Sequence, residues 1–329
     1  MNKKTKIQIL KEELGAVIVA HFYQRDEIVD IADIIGDSLE LAKKSKESDK
    51  ELVIFCGVGF MGQSVKILAP QKRVFMPKNA CCSMARMIDS SYFDQSIAAL
   101  ESYGIPRNNI LPVSYINSSA EVKAKVGEMD GFICTSANAT TIMQYAQKES
   151  KKIFFLPDRC LGQNLAIQNH QSAATLGLDS KEDILKADII CYNGFCSVHQ
   201  LFTPEDVDFY RQKFPDILVA VHPECDPKVC MKADFVGSTS QIIRFVQSLN
   251  PEQKVVVGTE FNLVNRLRKK NTYVLSASKP ECPTMNETTL DDVIFTLESY
   301  KKGDYFHEIL LNETIRAQAF KALDKMLNI

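Results

Sequence analysis

No run of about 18 apolar residues, the length needed to span a bilayer, occurs anywhere in this chain. The opening stretch MNKKTKIQILKEEL reads as an amphipathic helix. Glu12 and Glu13 interrupt it, and it lacks the apolar h-region of a signal peptide, so a cytoplasmic protein is expected. A large excess of one sign of charge is missing too. A net charge of −2 leaves no basic footprint and argues against nucleic acid or an anionic membrane as the main partner. Long Gly/Ser/Pro linkers are absent, which implies units packed together and not tethered. Gly-rich phosphate motifs of the P-loop or dinucleotide type do not occur. Nor does a Cys-x₂-Cys-x₂-Cys run, which disfavours a ferredoxin-like electron carrier.

What is present is ample apolar content, 45% of 329 residues, enough for buried cores. The length suggests two or three domains. Ten cysteines are many for a cytosolic chain, where a disulfide framework is disfavoured and metal binding or catalysis gains weight. Cys56, Cys134 and Cys191 lie in or beside apolar strand runs and read as buried small hydrophobes.

The chain repeats itself, and repetition governs the fold. Between Ile217 and Ile242 a β-branched run (Leu218–Val221) stops at His222-Pro223-Glu224. A helical stretch carrying Ala233-Asp234 follows, and Gly237-Ser238-Thr239-Ser240 opens another helix. Between Ala16 and Leu41 the order is the same: strand, His21, helix with Ala32-Asp33, then Gly36-Asp37-Ser38. His21 to Gly36 is fifteen positions, as is His222 to Gly237. A looser copy begins at Leu111, with Tyr115 in the histidine's place and Thr135-Ser136-Ala137-Asn138 in the Gly-Ser place. Each copy continues with a second strand (Leu52–Phe55, Ile153–Leu156, Val255–Val257), a short helix and a third strand (Arg73–Met76, Asp188–Cys191, Thr272–Leu275). A cysteine follows each third strand: Cys82, Cys196 and Cys282. His21 to Cys82 is 61 positions, His222 to Cys282 is 60 and Tyr115 to Cys196 is 81, so the middle copy carries insertions.

Strand–helix alternation predicts parallel α/β units, whose ligands gather beyond the carboxyl ends of the strands. His21, Tyr115, His222 and the three cysteines should therefore share one face. The Gly-Ser-type segments are good N-caps for helices; three of them beside three polar strand ends favour anion binding. Tyr23 and Asn117 lie two residues beyond His21 and Tyr115, so each pair is placed to touch one ligand. Glu224 is a candidate acid/base, and His199 stands three residues after Cys196. His170 and His307 sit in polar surroundings and read as surface residues. Two amphipathic helices from Thr288 onward, the second with Ile315, Ala319, Ala322 and Met326 on one face, are assigned to packing against the first unit.

Three thiolates on one axis suit zinc, with histidine or water as fourth ligand, or a [4Fe–4S] cluster with one iron left open. A rival four-cysteine zinc site, Cys191-x₄-Cys196 with Cys225-x₄-Cys230, ranks lower because Cys191 falls in a strand.

The motifs AHFYQ (20–24), GDSLELA (36–42), CSMA (82–85), SYINSSAEVKA (114–124), CTSANA (134–139), GFCSVH (194–199), VHPEC (221–225), ADFVGSTS (233–240), VGTE (257–260) and CPTMNETTL (282–290) occur in this order. Through them the chain resembles the quinolinate synthase family of bacterial NAD biosynthesis over essentially its whole length. The resemblance implies an α/β fold of three pseudo-repeated three-layer α/β/α units with short parallel sheets around a central metal cluster. The units would be residues 1–86 plus 287–329, 87–197 and 198–286. One [4Fe–4S] cluster per chain would be held by Cys82, Cys196 and Cys282. Cys82 is preferred to Cys81 because it carries the Ser-Met-Ala continuation.

The implied reaction condenses iminoaspartate (iminosuccinate) with dihydroxyacetone phosphate to quinolinate, phosphate and water, with the open iron as Lewis acid. It also implies a functional link to L-aspartate oxidase. Substrate would be bound by His21, Ser38, Tyr115, Asn117, Ser136, His199, His222, Glu224 and Thr239, with Tyr23, Glu224 and His21 as acid/base groups. Gly59, Gln63 and Arg86 depart from the family's usual histidine, glutamate and aspartate. A zinc-dependent hydrolase and a non-enzymatic iron–sulfur sensor are the alternatives.

Overall fold

Short β-branched runs buried along nearly their whole length make parallel strands covered on both faces. The computed structural model describes residues 2–268 and 271–329, and these build three all-parallel sheets. The first contains β1 (Ala16–His21), β2 (Ile34–Gly36), β3 (Leu52–Cys56) and β4 (Arg73–Phe75) in the order β2-β1-β3-β4. The second contains β5 (Ile110–Tyr115), β6 (Phe132–Cys134), β7 (Lys152–Leu156), β8 (Ala173–Thr175) and β9 (Ile189–Cys191), ordered β6-β5-β7-β9-β8. The third contains β10 (Leu218–Val221), β11 (Phe235–Val236), β12 (Val255–Gly258) and β13 (Thr272–Val274), ordered β11-β10-β12-β13. The fold is therefore α/β with three related parallel sheets among helices. The extra length of the middle copy is helix Ala120–Glu128, longer than its counterpart Asp26–Val29, together with the added edge strand β8 and helix Lys181–Lys186.

The edge strands β2 and β11 differ from the sequence expectation, which put Ala32-Asp33 and Ala233-Asp234 inside helices. Those helices stop earlier, at Val29 and Lys232. Each aspartate folds back on the central strand of its sheet. The Asp33 carboxylate accepts from Ile18 N at 2.8 Å and the Asp234 carboxylate from Val219 N at 2.8 Å. Each backbone N–H returns a bond to the same residue's carbonyl. This reciprocal pair turns the following residues into a short parallel strand, in register His21↔Gly36 and Val221↔Val236.

One continuous apolar core runs from Val17 and Phe55 in the first unit to Phe154 and Ile190 in the second, whereas the third unit has clusters of its own. Helix Lys3–Leu14 is capped by Asn2 and ended by left-handed Gly15. It packs Ile7 and Leu10 against Val293 and Leu297 of helix Leu290–Lys302. The last helix, Glu313–Asn328, lies chiefly on helix Ala120–Glu128 and β6 of the second unit, and secondarily on helix Gly59–Leu68 of the first. This corrects the assignment of both C-terminal helices to the first unit. Gly127 permits the close approach, because a Cβ there would sit 2.0 Å from the Gln318 carbonyl oxygen. Among the described residues no helix is long and apolar enough to cross a membrane.

Candidate active site

The three cysteine loops are held alike. Just beyond β3, β7 and β12 one N–H reaches the carbonyl two residues before the cysteine: Gly59 to Ala80, Arg159 to Gly194 and Phe261 to Pro280, each at 2.9 Å. Each cysteine carbonyl then accepts from the residue four further on: Arg86, Gln200 and Asn286. Short 3₁₀ turns follow at Ala85–Met87, His199–Leu201 and Met285–Glu287. The same local bonding in three places delivers Cys82, Cys196 and Cys282 to the wall of a single cavity.

The histidines at the ends of β1 and β10 are matched just as closely. Tyr23 N donates to His21 Nδ1 at 3.1 Å, and Glu224 N to His222 Nδ1 at 3.3 Å. A ring nitrogen that accepts carries no proton, so both rings bear theirs on Nε2. His222 Nε2 lies 3.3 Å from Ser136 Oγ in the second unit. Burial pushes His21 down to about 4 and His222 to about 3, so both are neutral donors near pH 7.

Glu224 is buried and bonded across the unit boundary. Oε1 accepts from the Tyr115 hydroxyl at 2.6 Å, and Oε2 lies 3.0 Å from His199 Nδ1. Burial alone would raise its carboxyl; the neighbouring imidazoles and the bonds from His199 and Tyr115 outweigh that and hold it below the usual carboxylate range. Burial also holds the Tyr23 and Tyr115 phenols well above their ordinary range, with the Glu224 charge adding to it. Tyr23 packs edge-on to His21, and its hydroxyl lies 3.0 Å from Thr239 Oγ1 and 2.8 Å from Thr259 Oγ1 in the third unit.

The remaining residues singled out from the sequence, Ser38 and Asn117, line the same cavity. Asn117 Oδ1 is buried without a hydrogen-bond partner among the described residues, as expected of a group awaiting a ligand's N–H or O–H. Cys81 is exposed and outside the cavity wall. Cys56, Cys134 and Cys191 are buried in the core, and Cys225 and Cys230 pack within the third unit. The rival four-cysteine site is thus not assembled. His170 and His307 are exposed.

Sequence reasoning missed Asp37, Glu260 and Thr259. Asp37 caps helix Ser38–Glu47 and accepts from Ser240 Oγ at 2.7 Å, tying the first unit to the third. Glu260 caps helix Phe261–Leu267 and accepts from Cys282 N at 3.2 Å; burial raises its carboxyl to about 8. The VGTE motif marked both Thr259 and Glu260, but linear spacing held no signal for what either touches.

The donor set suits a metal centre. Among the described residues, the one group of three donors whose ligand atoms lie within 4.8 Å of one another is Cys196, His199 and Glu224. Cys82, Cys196 and Cys282 line the same cavity without forming such a group, and thiolates are ligands that suit zinc or iron–sulfur centres. Burial raises all three thiols, Cys82 to about 12, and the charges of neighbouring thiols add to this for Cys82 and Cys196. Thiolates so destabilised are strong ligands once a cation is present.

Fold and site together define an α/β enzyme whose cavity lies where three related units meet, lined by thiols, imidazoles, phenols and carboxylates. A family model described as "Quinolinate synthetase A protein" matches residues 5–328. The chain is 56% identical to the quinolinate synthase of Helicobacter pylori (strain HPAG1), covering 99% of this chain and 98% of that protein. It is 40% identical to the quinolinate synthase of Alkaliphilus metalliredigens (strain QYMF), covering 100% and 98%. To the quinolinate synthase of Acidobacterium capsulatum it is 37% identical, covering 98% and 92%. The chain belongs to the quinolinate synthetase A protein family of enzymes.

Proposed function

We propose that this enzyme condenses iminoaspartate (iminosuccinate) with dihydroxyacetone phosphate to give quinolinate, phosphate and water, in the cytoplasm and on the route to NAD. The observation that carries the reading is the convergence of Cys82, Cys196 and Cys282 with His21, Tyr115, His222 and Glu224 on one cavity. Cys82, Cys196 and Cys282 would hold a [4Fe–4S] cluster. When bound, the cluster supplies Lewis acidity through the iron that carries no cysteine.

The chain's own groups divide the remaining work. His21 and His222 offer Nε2–H donors suited to substrate carboxylate or phosphate oxygens. Ser38 and Thr239, at helix starts, and Ser136, in the turn before helix Ala139–Gln147, add hydroxyls for the same oxygens. Asn117 Oδ1 is free to accept from an imine N–H. Tyr23, un-ionised, is a proton donor beside His21. Glu224, fixed as an anion by Tyr115 and His199, is the base for substrate protons, with His21 as a second proton carrier. Iminoaspartate must come from an enzyme that oxidises aspartate, which supports the link to aspartate oxidase.

Iron, sulfide and zinc content of anaerobically purified protein, a visible spectrum and an assay of quinolinate formation test this reading. About four irons and four sulfides per chain with turnover are expected. Stoichiometric zinc in a colourless, inactive protein would favour the Cys196–His199–Glu224 group as a single-ion site and overturn it.

A further inference from the structure

Each unit sets a ring at or just past the end of its first strand (β1, β5 or β10) and a cavity-lining side chain two residues later. The pairs are His21 with Tyr23, Tyr115 with Asn117 and His222 with Glu224. In the first and third units the ring itself fixes the turn, because its Nδ1 accepts from the backbone N–H of that second residue. A phenol has no ring nitrogen, so Tyr115 cannot do this for Asn117. The middle copy lacks the fastening that the other two share.

Lys123 stands in its place. It lies in the first turn of helix Ala120–Glu128 and is fully buried. Its Nζ donates to the Ile116 carbonyl at 2.8 Å and to the Ser118 carbonyl, the two that flank Asn117. A lysine nitrogen carries at least two N–H groups whether charged or neutral, so both bonds persist in either state. The turn is otherwise held by Ile116 N on the Cys134 carbonyl and Ser118 N on the Ile116 carbonyl, each at 2.8 Å. The Asn117 side-chain oxygen adds nothing, being buried without a partner among the described residues. Burying a lysine is costly, and here both of its bonds go to this one turn.

We propose that Lys123 is a positioning residue for the reaction. By clamping the carbonyls on either side of Asn117 it aims that amide into the cavity, as the His21 and His222 rings fix the turns of Tyr23 and Glu224. The role rests on the condensation proposed above, in which Asn117 meets substrate.

The test is a double-mutant cycle. Lys123→Met keeps the apolar stem and removes the donors. In the cluster-loaded enzyme it is expected to lower kcat/KM roughly ten- to a hundredfold, as is Asn117→Ala, with iron and sulfide at the parent level. Because Lys123 acts through Asn117, the two together should cost no more than about threefold beyond Asn117→Ala alone. Combined with Ser38→Ala, in the first unit, the losses should multiply. Lys123→Gln keeps an N–H donor on a shorter arm. It should fall between the parent and the methionine variant, and it carries the same cycle if the methionine variant does not fold. Hydrogen exchange read by mass spectrometry needs no turnover. Exchange over residues 115–119 should rise about tenfold or more in the methionine variant, while helix Ala120–Glu128 keeps the parent rate.

Parent kcat/KM in both Lys123 variants, losses that multiply with Asn117→Ala, or unchanged exchange over residues 115–119 would each overturn the proposal. A parent enzyme that makes no quinolinate would remove the proposed reaction, while the exchange comparison would still decide whether Lys123 holds the turn.

Discussion

The Tyr115 phenol donates to Glu224 Oε1 across 2.6 Å and thereby joins the second unit to the third inside the cavity. A buried carboxylate depends on such bonds to stay charged. Tyr115→Phe is therefore expected to cost about 1.5–3 kcal/mol in stability and to lower turnover, with the metal content unchanged. Denaturant midpoints and metal analysis check this, and an unchanged midpoint would mean the bond contributes nothing net.

Glu224→Gln keeps the shape but removes the fixed charge. Turnover should fall by about a hundredfold or more, while iron and sulfide remain at the parent level. A variant that still turns over would take Glu224 out of the acid/base role.

Cys82→Ala, Cys196→Ala and Cys282→Ala should each lose the cluster, seen as loss of brown colour and of iron. Cys225→Ala and Cys230→Ala should retain it, because neither thiol lines the cavity. A Cys230 variant unable to assemble a cluster would contradict the three-loop assignment.

Gly127→Ala drives a methyl into the Gln318 carbonyl, 2.0 Å from an ideal Cβ. The last helix must shift, and a loss of roughly 1–3 kcal/mol is expected from overpacking. Thermal unfolding would register it as a lowered Tm.

Lys123 is fully buried, its ammonium nitrogen held by the carbonyls of Ile116 and Ser118 on either side of Asn117. Burial lowers it to about 7. Between that value and the ordinary lysine range the unfolded chain binds a proton that the folded protein does not, so this group's contribution to stability rises with pH across that window. Relative to Lys123→Met, the parent should gain up to about 1.4 kcal/mol per pH unit above neutrality. Denaturant midpoints at pH 7 and pH 9 measure the difference, and parallel pH profiles would show that Lys123 does not titrate there.

Periodicity and spacing were enough to reveal the triplication, the parallel strands and the three cysteines, because each is written locally: β-branched runs, polar strand ends and one thiol per copy. The edge strands β2 and β11 were not legible, since Asp33 and Asp234 make them by bonding back to a strand about fifteen residues away. The seat of the last helix was hidden for a similar reason. Its apolar face, with Ala319, Ala322 and Met326, is plain in the sequence, but which surface accepts it depends on a glycine nearly two hundred residues earlier. Tertiary structure alone decided the chemistry between units: Glu224 held by Tyr115 and His199, and Tyr23 tied through Thr259 to His199. A residue's type records what it can donate or accept. Its partner is chosen only when three separately folded strand ends are packed against one another and burial makes every unpaired polar group costly.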